Sequence, residues 1–224
     1  MGDVVFSVEE FANNPAPRLP VALVLDTSGS MEGGPIRELN EALRVFINEI
    51  YNDEIARYSA EVCIITFGGI VRLIQDFATV DRVVLTELKA DGETPMGAAV
   101  LFALRRLEQR KNLYKELGID YYQPWLVLMT DGMPTDSITE ASARVQELLA
   151  QKKLVVFPIA IGPDASISVL EKFTTPNRRP LRMKEHSFKE FFVWLSRSIS
   201  NASRSNPGEK FSLADGLEGW AKIE

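Results

Sequence analysis

The run Val21-Ala22-Leu23-Val24-Leu25 followed by Asp26 constrains this chain more than any other stretch. Five apolar residues with no alternation, behind Pro20, read as a strand buried on both faces. An acid directly after such a run means that the chain is leaving the core. Ser28 and Ser30 follow at alternate positions with Gly29 between them, so a carboxylate and two hydroxyls share one tight loop. Gly33, Gly34 and Pro35 then lead into a helical period at Ile36, Leu39, Leu43, Phe46, Ile47 and Ile50. A polar loop at the carboxyl end of a buried strand is where open α/β sheets bind ligands.

The rest of the chain repeats the plan. Glu61 to Phe67 reads as a second buried strand, and Gly68-Gly69 as a hairpin returning through Ile70 to Phe77, whose Arg72 and Gln75 blunt an edge. Thr94-Pro95 opens a long helix reaching about Leu117, with Gly118 beyond it. Trp125 to Met129 and Leu154 to Ile161 read as further strands, Ser137 to Gln151 and Ser166 to Phe173 as helices, and Leu181 to Met183 as a short edge strand. A last helix carries Phe188, Phe191, Phe192, Leu195 and Ile199 on one face. This alternation predicts an α/β doubly wound open sheet, mostly parallel with one antiparallel edge strand and helices on both faces. The expected division is an N-terminal extension over 1–18, with a possible strand at Val4 to Val8, a domain over 19–201, and a tail over 202–224 that packs back through Phe211, Leu213, Leu217 and Trp220.

Composition sets outer bounds. With 46% hydrophobic residues the core is sizeable, and a single cysteine, Cys63, excludes an internal disulfide. Lys and Arg number 25 against 31 Asp and Glu, and the net charge of −6 argues against nucleic acid or an anionic membrane as partner. The first residues lack the basic-then-apolar order of a signal peptide, and the apolar runs are strand-sized, so a cytoplasmic protein with no membrane span is expected.

Asp26-x-Ser28-x-Ser30, Thr94 in Gly92-Glu93-Thr94-Pro95, and Asp131 in Met129-Thr130-Asp131-Gly132 lie in order, each at a predicted strand end or helix start. Together they resemble the metal-ion-dependent adhesion site (MIDAS) of von Willebrand factor A (vWA) domains. The resemblance implies their Rossmann-like sheet, an ion held by Asp26, Ser28, Ser30, Thr94 and Asp131, and a protein partner that completes the site with an Asp or Glu carboxylate. Hydroxyls and carboxylates are hard donors, which suit Mg²⁺, with Mn²⁺ or Ca²⁺ as alternatives. Helix capping by Asp26 and Ser28 would account for the first motif alone. Glu32 and Glu93 read as solvated carboxylates, and Asp136 as a cap on the helix that starts near Ile138, with a reach to the metal site as the alternative.

A narrower resemblance rests on Phe11-Ala12-Asn13-Asn14-Pro15 and on Tyr114 to Trp125, outside the motif. Both segments are similar to the bacterial TerY family, which implies a tellurite-resistance or stress setting beside a protein kinase and a PPM-type phosphatase. The aromatics Tyr121, Tyr122 and Trp125 in it read more simply as packing residues than as a binding platform.

Enzyme readings lack support in the residues. No Gly-x-Gly-x-x-Gly follows the first strand, no phosphate-binding Gly-x-x-x-x-Gly-Lys occurs, and no Gly-x-Ser-x-Gly elbow is present. A haloacid-dehalogenase-like phosphatase needs an acid where Ser28 stands, and His186 is the only histidine. A non-enzymatic, metal-dependent protein-binding module is therefore the leading expectation. A hydrolase using the same ion and a scaffold with a vestigial site are the alternatives.

Overall fold

Alternate residues of the first strand divide the core in two. In the computed structural model, Val21, Leu23 and Leu25 of β1 (Leu19–Asp26) enter one hydrophobic cluster, and Ala22 and Val24 enter another. The structure describes residues 14–176, 178–184 and 187–223. The expected strand at Val4 to Val8, the segment Phe11 to Asn13 and His186 lie outside the described residues.

The first cluster is covered by α1 (Gly34–Asn52) and by the helix that ends the domain, Phe188–Ser203. Their apolar stripes meet at Phe46 and Phe192, whose ring centroids are 5.3 Å apart. The second cluster is covered by α2 (Met96–Glu116) and α3 (Thr139–Ala150). Phe188–Ser203 is accordingly α4. Right-handed crossovers from parallel strands place helices on both faces in this way.

Seven strands follow the order β3-β2-β1-β4-β5-β6-β7. β2 (Ala60–Gly68), β1, β4 (Trp125–Thr130), β5 (Val155–Ala160) and β6 (Leu181–Met183) are parallel, and β3 (Ile70–Thr79) closes one edge antiparallel to β2. β1, between β2 and β4, is buried throughout its length. The other edge is also antiparallel, because β7 (Ala221–Ile223) returns along β6. Three residues in a polar tail carry no alternation for a sequence reading to detect. Next to β7, Trp220 is 1% exposed and packs on Phe191 and Trp194 at 4.9 and 5.2 Å between centroids. Among the described residues no helix is long and apolar enough to cross a membrane.

A buried ionic cluster joins the amino ends of β1 and β2. Glu61 is 0% exposed; one of its carboxylate oxygens lies 3.2 Å from Arg18 Nε and the other accepts from Arg110 Nε at 2.6 Å. The Tyr114 hydroxyl also donates to Glu61. Burial and then the Glu61 charge push the Tyr114 phenol up, so it stays a protonated donor. Tyr121 packs on Tyr114 at 5.4 Å, and the Tyr122 hydroxyl donates to the carbonyls of Ser203 and Ser205. Trp125 is fully buried against Phe157. These aromatics hold the α2–β4 connection to the body of the domain.

Candidate metal centre

β1 and β4 deliver Asp26 and Asp131 to the same end of the sheet, where each strand leaves the core. Asp26 is 0% exposed. One of its carboxylate oxygens accepts from the Ser28 backbone N–H at 2.8 Å, and the other from the Thr130 hydroxyl at 2.6 Å. The first bond shapes the turn that turns Ser28 and Ser30 the same way. Their hydroxyls are 3.1 Å apart, and Ser30 donates to Asp131 Oδ1 at 2.8 Å. Asp26, Ser28, Ser30 and Asp131 therefore form one hydrogen-bonded string across two loops.

Thr94 joins this group through its backbone. Its N–H donates to the Thr135 hydroxyl at 3.2 Å, and its carbonyl accepts from the N–H of Thr135 at 3.0 Å and of Met96 at 2.8 Å. On the other side the Gly29 N–H donates to the Gly92 carbonyl at 2.9 Å. Gly92 has φ 66°, and a Cβ there would lie 2.5 Å from Gly69 Cα, so only glycine lets this loop pack against the turn between β2 and β3. All three motif loops are thus tied together by main-chain bonds.

Asp136 does something the sequence does not announce. It does not cap its own helix, α3; its two oxygens accept from the N–H groups of Gly97 and Ala98, at 2.9 and 2.7 Å, in the first turn of α2. This satisfies donors that every helix start leaves open and puts negative charge at the positive end of α2. It also pins the Asp131 loop to the Thr94 loop. Asp136→Ala is expected to cost about 1–2 kcal/mol in thermal or urea unfolding and to weaken divalent-cation binding. Asp136→Asn, which keeps one acceptor, should lose less of both. Unchanged stability in the Ala variant would mean that the cap carries no load.

Sequence reasoning missed two neighbours of the site. Thr130 reads as a strand end, yet its hydroxyl fixes Asp26. Asn40, inside α1, is buried and exchanges hydrogen bonds with the backbone of Leu88 at 2.8 and 2.9 Å, anchoring the segment before the Gly92 loop. Glu32 and Glu93 are exposed. Met31 is fully buried because the short turn Gly29–Met31 points it into the core, whereas Met133 is 58% exposed.

The electrostatics suit a cation. Burial pushes the Asp26 carboxyl above its ordinary value, against the lowering effect of its hydrogen bonds from Ser28 and Thr130. Burial likewise raises Asp131, opposed by the Ser30 bond and reinforced by the Asp26 charge. No basic side chain hydrogen-bonds either acid among the described residues. Nor do the described residues hold a cluster of three or more His, Cys, Asp or Glu able to bind a metal. The donor set is two carboxylates supplemented by neutral hydroxyls, which fits a hard divalent ion and leaves it electrophilic.

An open, mostly parallel α/β sheet with acid- and hydroxyl-bearing loops at its carboxyl ends defines a ligand-binding domain of the doubly wound class. Residues 21–192 match the model of the von Willebrand factor type A domain, and the chain belongs to that family. Human inter-alpha-trypsin inhibitor heavy chain H6 is 27% identical over 193 residues, which is 80% of this chain and 14% of that protein. The chain thus spans about 14% of the length of this relative. Among solved structures, pilus adhesin SpaC of Lactobacillus rhamnosus GG shares the fold with a TM-score of 0.63 at 12% identity, over 84% of this chain and 31% of that one. Proximal thread matrix protein 1 of the mussel byssus, solved with zinc in its MIDAS motif, has a TM-score of 0.57 at 15% identity, over 84% of this chain and 49% of that one. Domains of this family are typically metal-dependent protein-interaction modules.

Proposed function

We propose that this domain is a non-enzymatic protein-binding module whose divalent ion, Mg²⁺, is held by Asp26, Ser28, Ser30, Thr94 and Asp131. The observation that carries the reading is the string from Asp26 through Ser28 and Ser30 to Asp131, in which two poorly hydrated acids have hydroxyl partners and no described cation. Zinc in the MIDAS motif of the mussel protein supports a divalent ion, and the all-oxygen donor set favours Mg²⁺ over zinc, with Mn²⁺ and Ca²⁺ sharing that preference. When bound, the ion supplies a Lewis-acidic position with affinity for one more anionic oxygen. Ser28 and Ser30 present their hydroxyls from one turn, Thr130 holds Asp26 in place, and the main-chain bonds of Thr94 set the third loop. A partner's Asp or Glu completes the set, with Met133 on the surrounding rim.

The resemblance to TerY proteins supports a cytoplasmic tellurite-resistance or stress complex that includes a protein kinase and a PPM-type phosphatase. Within this reading residues 1–18 are an extension, 19–201 the binding domain and 202–224 a tail packed on it. The hydrolase alternative requires a general acid and base, and Asp26 and Asp131 are engaged by hydroxyl and backbone donors instead.

Partner capture on the immobilised chain in Mg²⁺ against EDTA tests this reading, with Thr94→Ala alongside. The hydrogen bonds of Thr94 to Thr135 and Met96 use its backbone atoms, so Ala keeps them. Thr94→Ala should weaken Mg²⁺ binding and partner capture while changing metal-free stability by no more than about 1 kcal/mol. Capture that is equal in EDTA overturns the metal bridge. Phosphate-ester turnover that EDTA abolishes would establish the hydrolase.

A further inference from the structure

The opposite end of the sheet carries a second surface that the metal site does not use. An open groove of about 1050 Å³ lies at the amino ends of β4 and β5. Lys115, Lys152, Lys153, Arg178 and Lys210 line it, and all are exposed. Among the described residues no ion pair engages any of them. Two more lining cations are already matched, Lys111 to Glu108 at 2.6 Å and Arg144 to Glu147. Glu209 accepts from the Asn206 N–H at 3.3 Å. The balance is a concentrated positive strip on a chain of net charge −6.

Complementing the negative ends of helices accounts for part of this strip: Lys115 sits in the last turn of α2, and Lys152 just past α3. It does not account for Arg178, from the segment before β6, or Lys210, from the tail. Lys152 also has φ 54°, the left-handed backbone at which helices usually end on glycine. A side chain there is disfavoured sterically, and it puts a cation on the rim of the groove. The floor between the cations is apolar, built from Pro124, Leu148, Leu154 and Phe211.

We propose that this groove binds an acidic peptide segment of a protein partner, with apolar side chains between its acids, independently of the metal centre. Charge complementarity gives attraction and orientation, and the apolar floor takes the intervening side chains. A nucleic-acid strand fits less well. Its evenly spaced phosphates would meet Glu108, Glu147 and Glu209, and the aromatic rings at hand already pack on neighbours, Tyr121 on Tyr114 and Phe211 on Trp125. β4, six residues long, separates the two surfaces by about 20 Å at the usual strand rise, so separate partners can occupy both at once.

Fluorescence anisotropy tests this with a labelled peptide of aspartates and glutamates spaced by leucines, a matched peptide with glutamines for the acids, and an oligothymidylate. The acidic peptide should bind, the glutamine peptide should not, and EDTA should change nothing. Lys115→Glu, Lys152→Glu and Lys153→Glu combined should weaken binding more than about tenfold, and Lys210→Glu alone should weaken it by less. The corresponding Lys→Gln variant, with circular dichroism unchanged, guards against misfolding and should fall between wild type and the reversal. Equal binding of both peptides, tighter binding of oligothymidylate, or full binding by a folded charge-reversed protein overturns the proposal.

Discussion

Glu61→Ala is expected to destabilise the protein by about 3–5 kcal/mol, the largest loss from any single change described above. The carboxylate is fully buried, and it faces two buried guanidinium groups, Arg18 and Arg110, and the Tyr114 hydroxyl. Removing it leaves two cations in the interior without their anion, and that penalty exceeds anything the pair contributed by attraction. A domain of this size shifts its melting temperature by roughly 2–4 °C per kcal/mol, so a fall of about 6–20 °C is predicted in a thermal melt. Glu61→Gln keeps the shape and an acceptor and should fall less. The cluster lies at the amino ends of the strands, so Mg²⁺ affinity of the protein that remains folded should not change. A melt within a degree or two of wild type would show that the arginines find other partners.

At the other end of the sheet, Asp26→Asn should abolish the response to Mg²⁺ without unfolding the protein. Asparagine keeps an acceptor for the Ser28 N–H and a polar partner for Thr130, so metal-free stability should stay within about 1 kcal/mol. The charge is what changes. Burial already disfavours the ionised form of Asp26; its hydrogen bonds from Ser28 and Thr130 offset part of that cost, and a bound cation would offset more. Losing an outer partner of a metal site typically costs 10–100-fold in affinity, and losing this carboxylate should cost about 100-fold or more by calorimetry. Near-wild-type affinity in this variant would locate the ion elsewhere.

Features encoded within a short stretch are legible in the sequence, and those assembled by topology are not. Val21 to Leu25 announces a strand covered on both faces, and the Asp26 loop announces where that strand emerges. Ser28, Ser30 and Asp131 are readable because each motif is local and its strand or helix is strongly patterned. Glu61 is not, since an acid at the start of a strand looks solvated until Arg110 and Tyr114 arrive from 49 and 53 residues away. Asp136 misleads for a related reason: it precedes α3, but the loop folds back so that its oxygens meet the start of α2. β7 escapes because three residues have no period, and its partner β6 is equally short.

The proposed ion sits between the loops of Asp26, Thr94 and Asp131. Crystals soaked in Mn²⁺, with diffraction recorded at the manganese edge, test it most directly. A single strong anomalous peak is predicted within bonding distance of the Ser28 and Ser30 hydroxyls, with Thr94 and Asp131 around it, and lost in Asp26→Asn crystals. A peak at another place, or none between these loops at saturating Mn²⁺, would contradict the account.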